Sequence, residues 1–505
     1  MTGHTIPQFP ESYWLTSNDT LSEFPPLEED IKADVTIVGA GITGLTAAYL
    51  LANEGLRIAI VDAGRLMSGT TGHTTAKITT QHGLIYDELI SNVGAEKAKL
   101  YYESNEAAKQ YLKQMINQLD ISCDYKEQDA ILYATTKEYE AKIEREAKAY
   151  ERLGIPGTLT TDIPLDIPIK NALIMKEQAQ FHPVKFLQYI VQELKKKDVK
   201  IYEQTTAVKV EKGDNQKVVM RNGAQVLSKH ILVASHFPFH EGFGLYAARM
   251  DVERSYIIAA KMKKTYPGGM YLQADPPVHS LRSVTIDGEE MVLIGGMTHK
   301  TGKETETHKL YESLRAFGDE LFEIEDIPYH WSAQDLITLD KVPYIGELTP
   351  NHPYVTVATG FRKWGMTNSV VAAKLFYDRV LRQKNKYEEL YTPSRFHAKA
   401  SIPSLVEVNK KVVTSLVKGK LERPDRSPES LANDEGAIVT LNGQRKGAYK
   451  DEQGQLHIVD TTCTHAGCEV NWNDGERTWD CPCHGSRFDY TGEVIEGPAE
   501  KPLKK

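Results

Sequence analysis

Cysteine is scarce in this chain: there are five in 505 residues, and four of them fall between Cys463 and Cys483. Such a supply excludes a disulfide-built scaffold. Basic character is lacking as well. The formal net charge is −9, and general nucleic-acid binding asks for a clustered basic surface. Long apolar runs are also missing. The one long stretch, residues 35–52, is broken by three glycines, so no membrane span is expected. The opening MTGHTIPQFPESYWLTSNDT lacks the basic-then-apolar layout of a secretory signal, and a cytoplasmic location is the expectation. With 41% hydrophobic and 26% charged residues the composition is that of an ordinary globular protein. At ~150 residues per domain, this length suggests about three units, or one large two-part enzyme plus a small module.

What is present begins with ADVTIVGAGITGLTAAYLLANEGLRIAIVDAG, which reads as strand, tight turn, helix, strand. Gly39, Gly41 and Gly44 form G-x-G-x-x-G. They permit the turn, the close approach of backbone to a pyrophosphate, and close packing of helix on strand. Phosphate then meets the positive end of the helix. Asp62 closes the second strand, where an acid takes ribose hydroxyls. A second such motif after a strand is absent, so no separate pyridine-nucleotide site is expected.

The four clustered cysteines lie in CTHAGCEVNWNDGERTWDCPCHGSRFD. Cys463 and His465 make C-x-H, Cys481 and His484 make C-x-x-H, and fifteen residues separate the two pairs. Two thiolates with two imidazoles suit a zinc ribbon or a 2Fe–2S centre of Rieske type. The flanking residues decide between them. CTHAGC and CPCHGSRFD resemble the cluster-binding loops of Rieske proteins. By that resemblance Cys463, His465, Cys481 and His484 are the ligands, Cys468 and Cys483 pair as a disulfide across the loops, and Gly497-Pro498-Ala499 is the loop covering the cluster. Ser486 keeps one family donor to the cluster, whereas Phe488 stands where high-potential relatives have a tyrosine. A midpoint below theirs is expected, still inside the Rieske span of about −150 to +300 mV. Cys123, alone in a helical region, reads as an inert buried thiol.

After Asp62 the chain continues AGRLMSGTTGHTTAKIT, and far downstream comes DKVPYIGELTPNHPYVTVATGFRKWGMTNSVVAAKLFYDRVL. Together with FHPVKFLQYIVQELKKKDVKIYEQTTAVKVE, these segments resemble the D-amino-acid oxidase and glycine oxidase superfamily of flavoproteins, over about residues 30–390. The resemblance implies FAD, with Thr70, Thr71 and His73 approaching phosphate or flavin and Val208 near adenine. It puts Gly360, Gly365, Met366 and Thr367 near the flavin ring and ribityl chain. His73 also lies where some relatives attach flavin covalently; a non-covalent contact is the expectation. The implied fold class is α/β: an FAD-binding Rossmann-like domain (about 30–90, 165–240, 335–390) interleaved with an antiparallel-sheet substrate domain (about 91–164, 241–334), within an oxidoreductase spanning 1–395. Residues 396–430 read as helix and linker, with Leu405, Val408, Val412 and Leu416 at helical spacing and the helix docked on the flavoprotein. Residues 431–505 read as an all-β Rieske module.

The amino-acid oxidases often carry W-x-G-x-R-P-x-x-x-D-x-x-P-x-I-G, whose arginine grips a substrate carboxylate. Here the segment is WSAQDLITLDKVPYIG. Trp331, Asp340, Pro343 and Gly346 match, but Asp335 takes the arginine's place. An acid there suits an ammonium, or is merely a surface or helix-capping acid. Arg282, in HSLRSV, is an anion anchor or an ordinary solvated arginine. His236, His240 and Glu241 mimic a mononuclear iron triad, but read as loop residues. The expected function is oxidation of an amine or amino-acid-like substrate by hydride transfer to FAD, with electrons passing to the fused Rieske cluster and on to an external acceptor. The rivals are an amine oxidase using dioxygen with a structural or redox-sensing Rieske module, and an electron-transfer protein reduced by a partner protein.

Overall fold

The run of β-branched residues around Val35 forms a strand, Val35–Val38, buried on both faces, as a parallel sheet covered by helices requires. A computed structural model describes residues 6–17, 23–241, 244–395, 401–402, 405–407, 409–410, 412, 414–416 and 424–505. Val35–Val38 pairs in parallel with Ile58–Val61 on one side and His230–Val233 on the other. Lys200–Tyr202 and Val355–Thr359 extend the sheet in parallel, and Tyr344–Glu347 closes it antiparallel. The helices Ile42–Ala52 and Gly365–Val380 pack on each other beside this sheet, so the two glycine-led turns come together. A four-stranded sheet lies alongside, with Val208 half-buried in its strand Ala207–Glu211.

A second, nine-stranded sheet is built mainly from residues 126–134 and 250–338. Its strand Asn171–Gln180 pairs with Lys126–Ala134. Sequence reasoning assigned that stretch to the nucleotide half; the short apolar run of 172–175 suits either sheet, and only long-range pairing places it. The edge strand is Ile324–Thr338, antiparallel to Met250–Met262.

Residues 424–505 form a three-stranded and a four-stranded antiparallel sheet around Trp472, Trp479 and Tyr449. Pro424 and Arg426 already hydrogen-bond to Thr440, so this unit starts before residue 431. The described residues between 401 and 416 are helical. Val412 and Leu416 pack on the core that holds the clustered cysteines, while Asn409 donates to the Ala248 carbonyl and Lys303 to Ser415. The expected helix on the flavoprotein thus touches both units; Val408 lies outside the described residues. Among the described residues no helix is long and apolar enough to cross a membrane.

Candidate functional site

The glycine turn is set by contact rather than flexibility alone. Gly39 has φ of +108°, and a Cβ there would meet the Ala234 carbonyl oxygen at 2.4 Å; one on Gly44 would meet the Gly39 oxygen at 2.0 Å. The helix Ile42–Ala52 has no acid in its first turn and no side-chain cap from Gly41, leaving its N-terminus for an anion. Thr71 Oγ1 accepts from the Ile42 N–H. Asp62 accepts from the Ala40 and Gly64 N–H groups, and burial pushes its carboxyl up against those two bonds. This cradle fits a dinucleotide pyrophosphate and ribose.

Thr70–His73 form one 3-10 turn beside it. His73 Nδ1 donates to the Gly69 carbonyl, and Trp331 Nε1 donates to the His73 carbonyl. At the second glycine-led turn, Gly360 (φ +76°) abuts Thr338, and Gly365, with open space at its Cβ position, begins the helix carrying buried Met366 and Thr367. Sequence reasoning missed His82. It is fully buried, stacks on Trp364 at 4.8 Å, accepts from the Tyr101 hydroxyl and donates to the Thr79 carbonyl, with Thr367 Oγ1 at 3.3 Å. Burial, reinforced by Arg362, brings it down to about 3, so it is neutral. A lone histidine in TTQHG carries no pattern that could have signalled this.

The substrate-side candidates look different in three dimensions. Asp335 is held by Lys363 Nζ at 2.9 Å. The carboxylate therefore already has a cation, and an ammonium would have to share it. Arg282 is buried rather than solvated. Its guanidinium donates to the carbonyls of Thr75, Ala76, Phe181 and Ser283, which ties the segment after His73 to the sheet. With those donors spent on backbone, it is a structural clamp. His236 turns inward at φ +61°, Glu241 accepts from Ala247 N–H, and His240 sits against His352. These three residues do not converge. Cys123 is a buried thiol, pushed up to about 12 by burial.

The clustered segment folds as two loops facing each other. The thiols of Cys463 and Cys481 interact across the two loops, which brings Cys463 down to about 7 and pushes Cys481 up. The imidazoles of His465 and His484 lie 4.9 Å apart at 89°. His484 Nδ1 is buried with no partner among the described residues, and burial, with help from His465 and Lys300, lowers the ring to about 4. Two adjacent thiols and a neutral imidazole with an unused nitrogen fit a metal centre of two sulfur and two nitrogen ligands. Cys468 and Cys483 are joined as a disulfide. Three sulfurs, those of Cys468, Cys481 and Cys483, also lie within 4.8 Å of one another, but two of these are spent on the disulfide and offer no thiolate. His465 is exposed.

Ser486 is fully buried; its hydroxyl accepts from the Ala499 N–H, latching the Gly497–Ala499 loop over the site, and it helps to lower the Cys463 thiol. Ser486→Ala should lower the centre's midpoint by about 65–130 mV. A hydrogen bond to a charged acceptor is worth roughly 1.5–3 kcal/mol, and for one electron about 59 mV is a factor of ten. A redox titration followed by EPR reads this, and an unchanged midpoint would refute the assignment of Ser486.

One strand separates the two sites. In Ile324–Thr338, Trp331 reaches the His73 carbonyl and Asp335 reaches Lys363, next to the flavin-side turn. Ser332 and Gln334, one register position off from Trp331 and Asp335, point the other way, as strand geometry requires. Ser332 donates to Glu476, and the Gln334 side chain lies 2.9 Å from where a Cβ on Gly485 would be.

A family model for FAD dependent oxidoreductases matches residues 34–379, and one for the Rieske 2Fe-2S domain matches residues 424–505. The chain is 49% identical over 502 residues, 99% of its length and 98% of the relative's, to the "Putative Rieske 2Fe-2S iron-sulfur protein YhfW" of Bacillus subtilis (strain 168). It is 20% identical over 404 residues to the gamma-glutamylputrescine oxidoreductase of Escherichia coli (strain K12), covering 77% of this chain and 92% of that one. Among solved structures, glycine oxidase from Geobacillus kaustophilus superposes with a TM-score of 0.61 at 17% identity, covering 72% of this chain and 99% of that one.

Proposed function

Because the chain belongs to the FAD-dependent oxidoreductase family and carries a Rieske 2Fe-2S domain, we propose that it oxidises the C–N bond of an amine or amino-acid-like substrate and delivers the electrons one at a time to an external acceptor. FAD supplies the hydride acceptor for the two-electron step, and the 2Fe-2S cluster supplies a one-electron carrier. The balance is simple. The amine loses one hydrogen from carbon and one from nitrogen, the C–N single bond becomes the C=N double bond of an imine, and two electrons and two protons are released. Two equivalents of a one-electron acceptor take the electrons, and solvent takes the protons.

The residues divide the labour. The Gly39–Gly44 turn and the helix behind it bind the pyrophosphate, Asp62 the ribose, and the Gly365–Thr367 helix start faces the flavin. Cys463 and Cys481 with His465 and His484 hold the two irons. Burial of His82 and the clamp of Arg282 keep the walls of the flavin cleft rigid and dry. The opposed charges of Asp335 and Lys363 suit a substrate bearing both an ammonium and a carboxylate better than a bare cation, and the names of glycine oxidase and gamma-glutamylputrescine oxidoreductase are in keeping with such a class.

The observation that carries this reading is the single strand Ile324–Thr338, with flavin-side contacts on one face and cluster-loop contacts on the other. It makes the two sites neighbours, so electrons need cross only one layer of backbone. Anaerobic mixing with a panel of amines and amino acids tests it. A substrate should bleach the flavin absorbance first and the cluster absorbance second. Flavin bleaching with an unchanged cluster, or stoichiometric peroxide in air from a Cys463→Ser variant at the wild-type rate, would overturn the coupling.

A further inference from the structure

We infer that Arg254 is the positioning residue that seats the Rieske unit on the flavoprotein in one fixed orientation, so that the docked arrangement is the working arrangement and no swing of the unit separates the two sites. This rests on the two-site reading above and adds how the sites are held.

Arg254 lies on the flavoprotein strand Met250–Met262 with its side chain 0% exposed. Both carboxylates facing it come from the Rieske unit: Glu496 at 2.7 Å and Asp480 at 3.8 Å. Among the described residues the flavoprotein supplies only neutral partners, Ser332 Oγ at 2.7 Å and Gln334 Oε1 at 3.3 Å. Within the Rieske unit, Arg487 is shared among Asp480, Glu476 and Glu496 at 3.1 to 3.4 Å. That unit's contact face therefore gathers three carboxylates around one guanidinium, a surplus of negative charge that Arg254 reduces. Further bonds cross the same boundary. Glu476 accepts from Ser332 Oγ and from the Tyr311 hydroxyl, Asn473 accepts from Thr307 Oγ1, and Asp474 accepts from the His308 N–H.

Charge pairs by themselves would not fix the unit in place. Undocking rehydrates every ion, and the regained hydration offsets much of the lost attraction; what such pairs set is register and orientation. Shape does the rest. Gly302, Gly475 and Gly485 all lie on the boundary. A Cβ on Gly302 would sit 2.7 Å from the Asp480 oxygen, one on Gly475 2.9 Å from Thr307 Oγ1, and one on Gly485 2.4 Å from Val252 Cγ1. Backbone lies within touching distance of the opposite unit at these points, so a shifted orientation would either collide or open voids beneath unpaired acids. Domains joined by a linker move relative to each other by default. Here a buried cation with its countercharges on the far side, set in a glycine-close contact, defines one pose. The N-terminal arm straps the same boundary: Gln8 donates to Asp434, Arg477 donates to the Gln8 carbonyl, and Glu11 N–H donates to the His330 carbonyl.

The test uses the full-length holoprotein. Flash photoreduction of the bound flavin with deazaflavin needs no substrate, so it separates this inference from the choice of substrate. In the wild type the subsequent cluster bleaching should keep the same rate as glycerol raises the viscosity. Arg254→Met should slow it at least tenfold and make it viscosity-dependent, while Arg254→Lys, which retains the charge, should recover most of the rate. Hydrogen exchange gives a second readout independent of either cofactor: amides of residues 471–496 should exchange at least tenfold faster in Arg254→Met than in the wild type. Gly302→Ala leaves every charge in place but forces the surfaces apart, and should reproduce the slowing if Arg254→Met fails to fold. A wild-type rate that falls in proportion to viscosity overturns the inference, as does wild-type exchange in both folded variants. Absence of iron or flavin from the purified chain would instead sink the two-site reading, leaving the exchange result to decide the docking.

Discussion

Gly44→Ala should give a protein that no longer retains its yellow cofactor. The added methyl would lie 2.0 Å from the Gly39 carbonyl oxygen and 3.0 Å from Ile37 Cγ2, both parts of the turn and strand that the helix must touch. Neither neighbour is the far end of a flexible side chain, so the helix has to retreat as a body. Its first N–H groups then miss the pyrophosphate they are aimed at. Losing two charge-assisted hydrogen bonds of roughly 1.5–3 kcal/mol each weakens binding by about two to four powers of ten. The loss of helix–strand packing should also lower the melting temperature of the flavin-free protein. Gly41→Ala separates the two effects. Its methyl would meet only the Thr71 side chain, with the hydroxyl nearest at 2.9 Å; turning that hydroxyl aside gives up only its bond to the Ile42 N–H, worth about 1 kcal/mol, so this variant should lose far less stability than Gly44→Ala while still crowding the phosphate. FAD retained after desalting and thermal melting of the flavin-free forms are the measurements. A yellow Gly44→Ala protein would refute the assignment of the turn.

The second large effect belongs to Cys481. Cys481→Ser should remove iron, acid-labile sulfide and the EPR signal of the cluster while leaving bound flavin at wild-type stoichiometry. The thiol is buried and interacts with the Cys463 thiol across the two loops, as two ligands to one iron would. A serine hydroxyl keeps its proton at neutral pH and cannot take that place. Cys468→Ser should behave differently. It breaks a disulfide spanning 15 residues, which costs the oxidised protein about 3 kcal/mol in the chain-entropy account, but it leaves all four ligands intact. The cluster should assemble, on a less stable unit. If Cys468→Ser abolished the cluster and Cys481→Ser spared it, the ligand set would have to be redrawn around the other sulfurs. Zinc in place of iron in the wild type would refute the cluster itself.

Much of this was legible before any tertiary structure. G-x-G-x-x-G with its two strands, and C-x-H with C-x-x-H, are contiguous signals; each site's chemistry is packed into a few dozen residues, and local geometry is enough to read it. The readings that moved are those that depended on a partner from elsewhere in the chain. Asp335 was open to an ammonium until Lys363, 28 residues on, proved to hold it. Arg282 could be taken for solvated until four carbonyls from three segments proved to surround it. His82 and Arg254 carried no signal at all.

Which cofactors this protein can hold follows from its residues read in order, because turn, helix start and ligand pairs are built from neighbours along the chain. How the two sites face each other came only with the folded molecule. That arrangement depends on the antiparallel register which sets Arg254 opposite Gln334 and sends Trp331 and Ser332 to opposite faces of one strand. Side chains alternate with a period of two, so a slip of one residue would exchange those faces. No local motif encodes that register; it is set by the burial of many side chains acting together.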